Sequence, residues 1–333
     1  MADTMAWTGT GAPAALTELV QILRNHPGLR GKAAIGLVSE VLGTADWIRG
    51  PGDDGAAVEA LGGQVVACGE ALWPPFVAAD PYGAGFAAVL TNVNDLAAMG
   101  ARPLGIVDTI VGSEDVARSA LRGMRRAGEL YDVPILGGHL TLHDATPAVS
   151  AFGVGVTRGR ALSVTRVRAG QSLLVAAALD GRMRPDFPFF PAFEARGSRC
   201  AGDVRLFAEL AESGACMAAK DISMAGLVGS LAMLLECGQH GVELDLDAVP
   251  KPPGVDLPAW LTCFPSFGFL LCAPPGREAA CAQPFLDRGL HAAVVGRIDD
   301  SGRLTLRLAG ACATVLDLAV DDVTRLGRAG SIN

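Results

Sequence analysis

The sequence predicts an α/β protein made of two mixed-sheet domains, and three observations carry that prediction. Stretches with apolar residues at helical spacing alternate with short runs rich in Val, Ile and Ala. Glycine-centred hairpins interrupt the alternation, which a barrel or a single doubly wound sheet would keep strict. Between the two alternating halves lies "RGRALSVTRVRAG", residues 158–170, polar and basic relative to its surroundings. A chain of 333 residues is long enough for two domains, at roughly 100–200 residues each. The expected division is therefore 1–157, a linker at 158–170, and 171–333.

In order, "AALTELVQILRN" reads as a helix ended by Pro27 and Gly28. "GKAAIGLVSEVLG" reads as a second helix, with Ile35, Val38 and Val41/Leu42 at helical spacing. A loop, "GPGDDG", leads into a hairpin, "AAVEALGGQVVACGE", turning at Gly62-Gly63. Asp80 caps a helix that starts at Pro81, where proline costs no hydrogen bond, and runs to about Met99. Gly100 supplies its C-terminal stop and Pro103 prevents continuation. A strand "PLGIVDTIVG", a helix from Ser113 to Tyr131, and strands "VPILGG" and "AVSAFGVGVT" complete the first half. The second half reads as strand "SLLVAAALDG", the loop "RMRPDFPFFPAFEARG", helix "GDVRLFAELAESG", strand "ACMAAKDIS" and helix "AGLVGSLAMLLECG". Strands "VELDLDAV" and "FGFLLCAPP", helix "REAACAQPFLDRG", strand "HAAVVGRID" and two short strands close it. In the proline-rich loop, Phe187, Phe189, Phe190 and Phe193 are core candidates before they are ligand contacts.

Composition narrows the function. The chain is 50% hydrophobic and 19% charged, with a net charge of −8, and has no Lys/Arg run. It is thus a folded protein without the basic footprint of a nucleic-acid or membrane-surface binder. No apolar run approaches the ~20 residues of a membrane span. Eight single cysteines without a C-x-x-C pair argue for reduced, mostly buried thiols rather than a zinc or redox motif. The start "MADTMAWTG" has neither the basic nor the apolar region of a signal peptide. The expected location is cytoplasmic.

Four stretches place polar groups where structure alone gives little reason for them. In "DPYGAGFAAVLTNVNDLAAMG", Ala84, Ala88, Asn92, Asp95 and Met99 share one helical face, small residues leading to an amide and a carboxylate. Asn94 adds a second amide. Buried, such groups need partners, either a ligand or hydrogen bonds inside the core. "GPGDDGAAV" sets Asp53 beside Asp54 in a glycine-flanked loop, suited to Mg²⁺ and also to a simple turn. Glu70 ends the following strand and could join the same edge. "ILGGHLT" puts Gly137, Gly138 and His139 at a strand end, where backbone could lie against phosphate. "AAKDISMAGL" puts Lys220, Asp221 and Ser223 just before a helix opening near Gly226, an anion site or simply a capped helix start. Lys220 stands out because the chain has three lysines against 24 arginines, and a compact ammonium suits phosphoryl chemistry differently from a guanidinium. No Walker A, G-x-S-x-G or H-E-x-x-H sequence occurs.

Taken in order, "GDDGAAV", "DPYGAGFAAVLTNVNDLAAMGARP", "GGHLT", "KDISMAGL" and "HAAVVGRID" resemble one superfamily. It comprises aminoimidazole ribonucleotide (AIR) synthetase, selenophosphate synthetase, thiamine-monophosphate kinase and the hydrogenase-maturation dehydratase. The resemblance spans nearly the whole chain, and "NDLAAMGARP" is its most specific element. It implies ATP bound with Mg²⁺ between the carboxylates matching Asp53, Asp54 and Asp95, with Glu70 a further candidate. It implies homodimers whose N-terminal sheets join into a barrel, and a cleft between the domains. Lys220, Asp221 and His139 are then the expected catalytic residues. Asn92, Asn94, Gly137, Gly138, Ser223, Gly226 and Lys32 are expected around ATP and its phosphates. Met224 occupies the place of a further Asp in the thiamine-phosphate kinase, no cysteine precedes Cys68 as selenide chemistry requires, and "GRAGSIN" lacks the dehydratase's terminal Cys. "WLTCFPSFGFLLCAPP" with "KDISMAGLVGSLAMLLE" is most similar to an AIR-synthetase-related group associated with nitrilases, whose reaction is unassigned. The resemblance thus implies an ATP- and Mg²⁺-dependent enzyme that phosphorylates an amide or carboxylate oxygen of a small acceptor and releases ADP and phosphate. Two alternatives are a nucleotide-binding maturation partner without turnover of its own, and a small-molecule kinase.

Overall fold

Helix α1 (Ala12–Arg24) is followed by α2 (Pro27–Gly31), a 3-10 turn at Lys32–Ile35 and α3 (Gly36–Leu42) in a computed structural model that describes residues 11–42, 52–60 and 62–326. Of the stretches read above, Gly43, Gly50, Pro51, Leu61 and "GRAGSIN" lie outside the described residues. Pro27 does not merely end α1; it starts α2 from the first helical position. The one helix expected over 31–43 is instead split, because the tighter 3-10 turn rotates α3 out of phase with Ile35. Leu37, Val41 and Leu42 are consequently exposed.

The chain continues through β1 (Ala56–Ala60), β2 (Gly63–Ala71), α4 (Pro74–Ala79), α5 (Pro81–Ala98), β3 (Arg102–Gly112), α6 (Glu114–Tyr131), β4 (Ile135–Leu142) and β5 (Ala148–Thr157). Then come β6 (Ser172–Ala177), β7 (Phe189–Phe190), α7 (Phe193–Arg196), α8 (Cys200–Glu212), β8 (Ala218–Asp221) and α9 (Gly226–Glu236). Last are β9 (Gly241–Asp245), α10 (Leu257–Thr262), β10 (Phe264–Pro265), β11 (Gly268–Ala273), α11 (Glu278–Asp287), β12 (His291–Asp299), β13 (Arg303–Leu308) and β14 (Ala311–Asp317).

These elements form two compact units, with breaks after Asp53, Leu162, Ala195 and Gly214. The five-stranded unit, 54–162 with 196–214, has strand order β1-β2-β5-β3-β4, antiparallel except for β3–β4. Helices α5 and α6 cover one face of this sheet, and α8 packs on both. Val66, Leu96, Met99, Ala101 and Ala161 make a core cluster between α5 and β2. On the opposite face Val58, Val65, Val107 and Phe152 stay exposed. The inserted piece is braced internally by a buried ion pair, Arg196 to Asp203 at 2.7 Å, and is tied to α6 by Arg205 donating to the carbonyls of Tyr131 and Asp132.

The seven-stranded unit takes in 1–53, 163–195 and 215–333, with order β14-β13-β9-β12-β6-β11-β8. Residues 1–53 group with the C-terminal half, although the sequence placed them with the N-terminal domain. The reason is α1, which packs on β14 while Arg24 pairs with Asp321 at 3.0 Å. Phe190 is buried edge-on against Trp260, and Phe189 lies between Phe193 and Phe264. Phe187 alone of the four is exposed.

Candidate functional site

Helix α5 is where the polar face was expected. Asp80 accepts from the Gly83 N–H at 2.8 Å, Pro81 opens the helix, and Gly100, at φ +67°, ends it in a conformation glycine favours. Its interior buries Asn92, Asn94 and Asp95 completely or nearly so. Asn92 is fully committed to the protein. Its amide nitrogen donates to the Ala88 and Ala151 carbonyls at 2.8 and 3.1 Å. Its oxygen accepts from the Gly153 N–H at 2.7 Å and from the Cys68 thiol at 3.2 Å. The ATP contact expected of Asn92 is therefore corrected: four partners use the whole capacity of a carboxamide.

One turn further, Asp95 meets Asp54, which follows the glycine-rich turn into β1. Each offers a carboxylate oxygen within 4.8 Å of the other's. Asp54 is half-buried and Asp95 buried. Cys68 on β2 lies beside them, and its thiol is pushed well up, first by burial and then by the charge of Asp95. Asp54 and Glu70 push it in the same direction.

Gly137 and Gly138 do not end a strand, because β4 runs on to Leu142 in parallel pairing with β3. A Cβ on Gly138 would lie 2.6 Å from the Asp108 carboxylate, so this glycine clears space for a neighbour. Glu70, Ala151, Asp108 and Gly138 occupy one cross-strand row, on the face toward α5. His139, next along β4, therefore points to the uncovered face. The sheet thus turns His139 away from the side that carries Asp95, contrary to the shared role expected from sequence. Asp108 itself escaped the sequence analysis. It is a buried carboxylate within an apolar strand, and burial raises its pKa. Its one sequence signal is the acidic residue in "GIVDTIVG".

In the seven-stranded unit, Asp53 turns its carboxylate onto the chain rather than outward. Its oxygens accept from the Ser163 hydroxyl at 2.7 Å and the Val164 N–H at 2.6 Å. Asp53 is thereby tied to the Ser163–Val164 segment, and the carboxylates whose oxygens converge include Asp54 and Asp95 but not Asp53. Lys220 and Asp221 end β8, both buried, and the Lys220 ammonium donates to the Gly52 carbonyl at 3.4 Å. Gly226 starts α9 at φ +68°, donating to the Ser223 carbonyl at 2.8 Å. A Cβ there would collide with the Leu261 carbonyl, so glycine is required twice over. Ser223 does not cap α9 through its side chain; its own N–H donates to Ser230. Lys32 lies half-buried in the 3-10 turn after α2.

Comparison with known proteins agrees with this architecture. Residues 52–157 match the AIR synthase related protein N-terminal domain, and 198–309 match the C-terminal domain of the same family. An uncharacterised protein of Synechocystis sp. is 35% identical over 320 residues, which is 93% of this chain and 98% of its own. Among solved structures, T. maritima PurL complexed with ATP aligns at a TM-score of 0.70 and 19% identity, over 85% of this chain. The alignment takes in 48% of that PurL, so this chain spans about half its length. AaThiL complexed with AMPPCP and TMP aligns at 0.65 and 21% identity, over 82% of this chain and 92% of its own. With both family domains matched in order and a relative similar over 93% of this chain, the chain belongs to the AIR synthase related family.

Proposed function

We propose that the protein is an ATP- and Mg²⁺-dependent enzyme that activates a small acceptor by phosphorylating an amide or carboxylate oxygen, releasing ADP and phosphate. The observation that carries this reading is the Asp54–Asp95 pair. Two carboxylates at that separation repel by about 3 kcal/mol at an effective dielectric of ~20. A cation removes that repulsion. The donor set fits Mg²⁺, a hard ion that takes one or two carboxylates and completes its shell with water and phosphate oxygens. Such an ion, when bound, neutralises charge on the transferred phosphate. The solved PurL and AaThiL complexes, with ATP and AMPPCP, support a nucleotide as the other ligand. On this proposal Lys220, Asp221 and the start of α9 serve phosphate binding in the seven-stranded unit, and Asn94, Lys32 and Ser223 are secondary contacts. We also propose a homodimer through the sheet face where, among the described residues, Val58, Val65, Val107 and Phe152 are exposed.

A thermal-shift titration with ATP, ADP and a non-hydrolysable analogue, each with and without Mg²⁺, tests this. The expected result is a Mg²⁺-dependent rise, worth about 2.7 kcal/mol at 100 times the dissociation constant. Asp54→Asn and Asp95→Asn should lose most of it. No response to any nucleotide would overturn the reading. Phosphate released rather than retained on the product separates this reaction from that of a simple kinase.

A further inference from the structure

Asp95 can meet Asp54 only if α5 keeps its rotation and height over the sheet. The anchor one turn before Asp95 is Asn92, which joins α5 to β5 at Ala151 and Gly153 and takes its fourth bond from Cys68 on β2. The amide orientation is set by chemistry, since a backbone N–H can only donate and carbonyls can only accept. Gly153 belongs to the same arrangement. A Cβ there would stand 2.8 Å from the Cys68 sulfur and 3.2 Å from the Asn92 Cβ, prising β5 from α5. No other side chain of this length offers two donors and two acceptor sites. An aspartate would face the Ala88 and Ala151 carbonyls, and a leucine would leave the Gly153 N–H buried and unpaired.

We propose that Asn92, with Cys68 as its fourth partner, is a positioning residue that holds Asp95 in place for the cation, and is not a ligand of the nucleotide. This rests on the Mg²⁺-ATP reading above. The supporting shell around a metal ligand typically shifts metal affinity about 10–100-fold when altered.

The test is a Mg²⁺ titration of the full chain at fixed AMPPCP, read by thermal shift, with AMPPCP binding also measured without Mg²⁺. Cys68→Ala and Asn92→Ala should raise the half-saturating Mg²⁺ concentration about tenfold. Metal-free AMPPCP binding should stay as in the unaltered chain, and Cys68→Ser, which restores a donor, should return the midpoint toward it. If both alanine variants lower the melting temperature but keep the midpoint, Asn92 is merely structural and the inference falls. It falls also if Asn92→Ala loses metal-free AMPPCP binding, the mark of a direct ligand. Should Asn92→Ala fail to fold, Cys68→Ala decides alone, because Cys68 lies outside any expected nucleotide contact. An unaltered chain with no Mg²⁺ response would instead overturn the functional reading, and this inference with it.

Discussion

Asp108 is a carboxylate buried in a strand, 7% exposed. Burial raises its pKa above the unfolded value, so the folded chain binds that proton more tightly than the unfolded chain. The cost of burying its charge is therefore present at neutral pH and fades as the pH falls through the raised value. Asp108→Asn should stabilise the protein at pH 7 by at most about 1 kcal/mol, because an amide has no charge to desolvate. The gain should shrink in acid, where the carboxyl is already neutral. Urea unfolding at pH 7 and pH 4 checks both, and no gain at pH 7 would refute it. At this scale the sequence told residue type but not direction. Asp53 and Asp54 are neighbours with the same chemistry, yet one carboxylate bonds Ser163 and Val164 while the other meets Asp95. Asn92 looked like a ligand because its partners, Ala151, Gly153 and Cys68, are far from it in the chain.

Helices α5 and α6 pack closely, and glycine sets their spacing. A Cβ on Gly85 would overlap the Ala120 carbonyl, and one on Gly123 the Tyr82 carbonyl. Gly85→Ala or Gly123→Ala, harmless in an isolated helix, should therefore destabilise the protein by about 1–3 kcal/mol, as overpacking does. Thermal unfolding measures it, and an unchanged midpoint would show that the helices can part without cost. The extent of α5 was legible, because Asp80-Pro81 and Gly100 are local signals that act within a turn. The extent of β4 was not. "GG" argues for a turn, but pairing with β3 carries the strand through both glycines, since partners rather than propensity decide a strand. The split between α2 and α3 was missed for a similar reason: apolar spacing does not reveal a 3-10 turn.

Over the whole molecule, two mixed sheets were legible from the alternation of periods, and their membership was not. The alternation is a property of each segment, whereas membership of a unit depends on contacts far apart in the chain, such as Arg205 with the Tyr131 and Asp132 carbonyls. If the uncovered face of the five-stranded unit joins a second copy, Phe152→Glu should shift the protein from dimer to monomer in sedimentation velocity. A dimer unaffected by that charge would place the interface elsewhere. The late return of the chain to the five-stranded unit also has a consequence for biosynthesis. All five strands are complete once Thr157 has left the ribosome, but α8, which covers α5 and α6, ends only at Glu212. Until then the nascent chain presents wet apolar helix surface. The interval while residues 158–212 are being translated is thus when this protein most needs a chaperone and is most open to a protease.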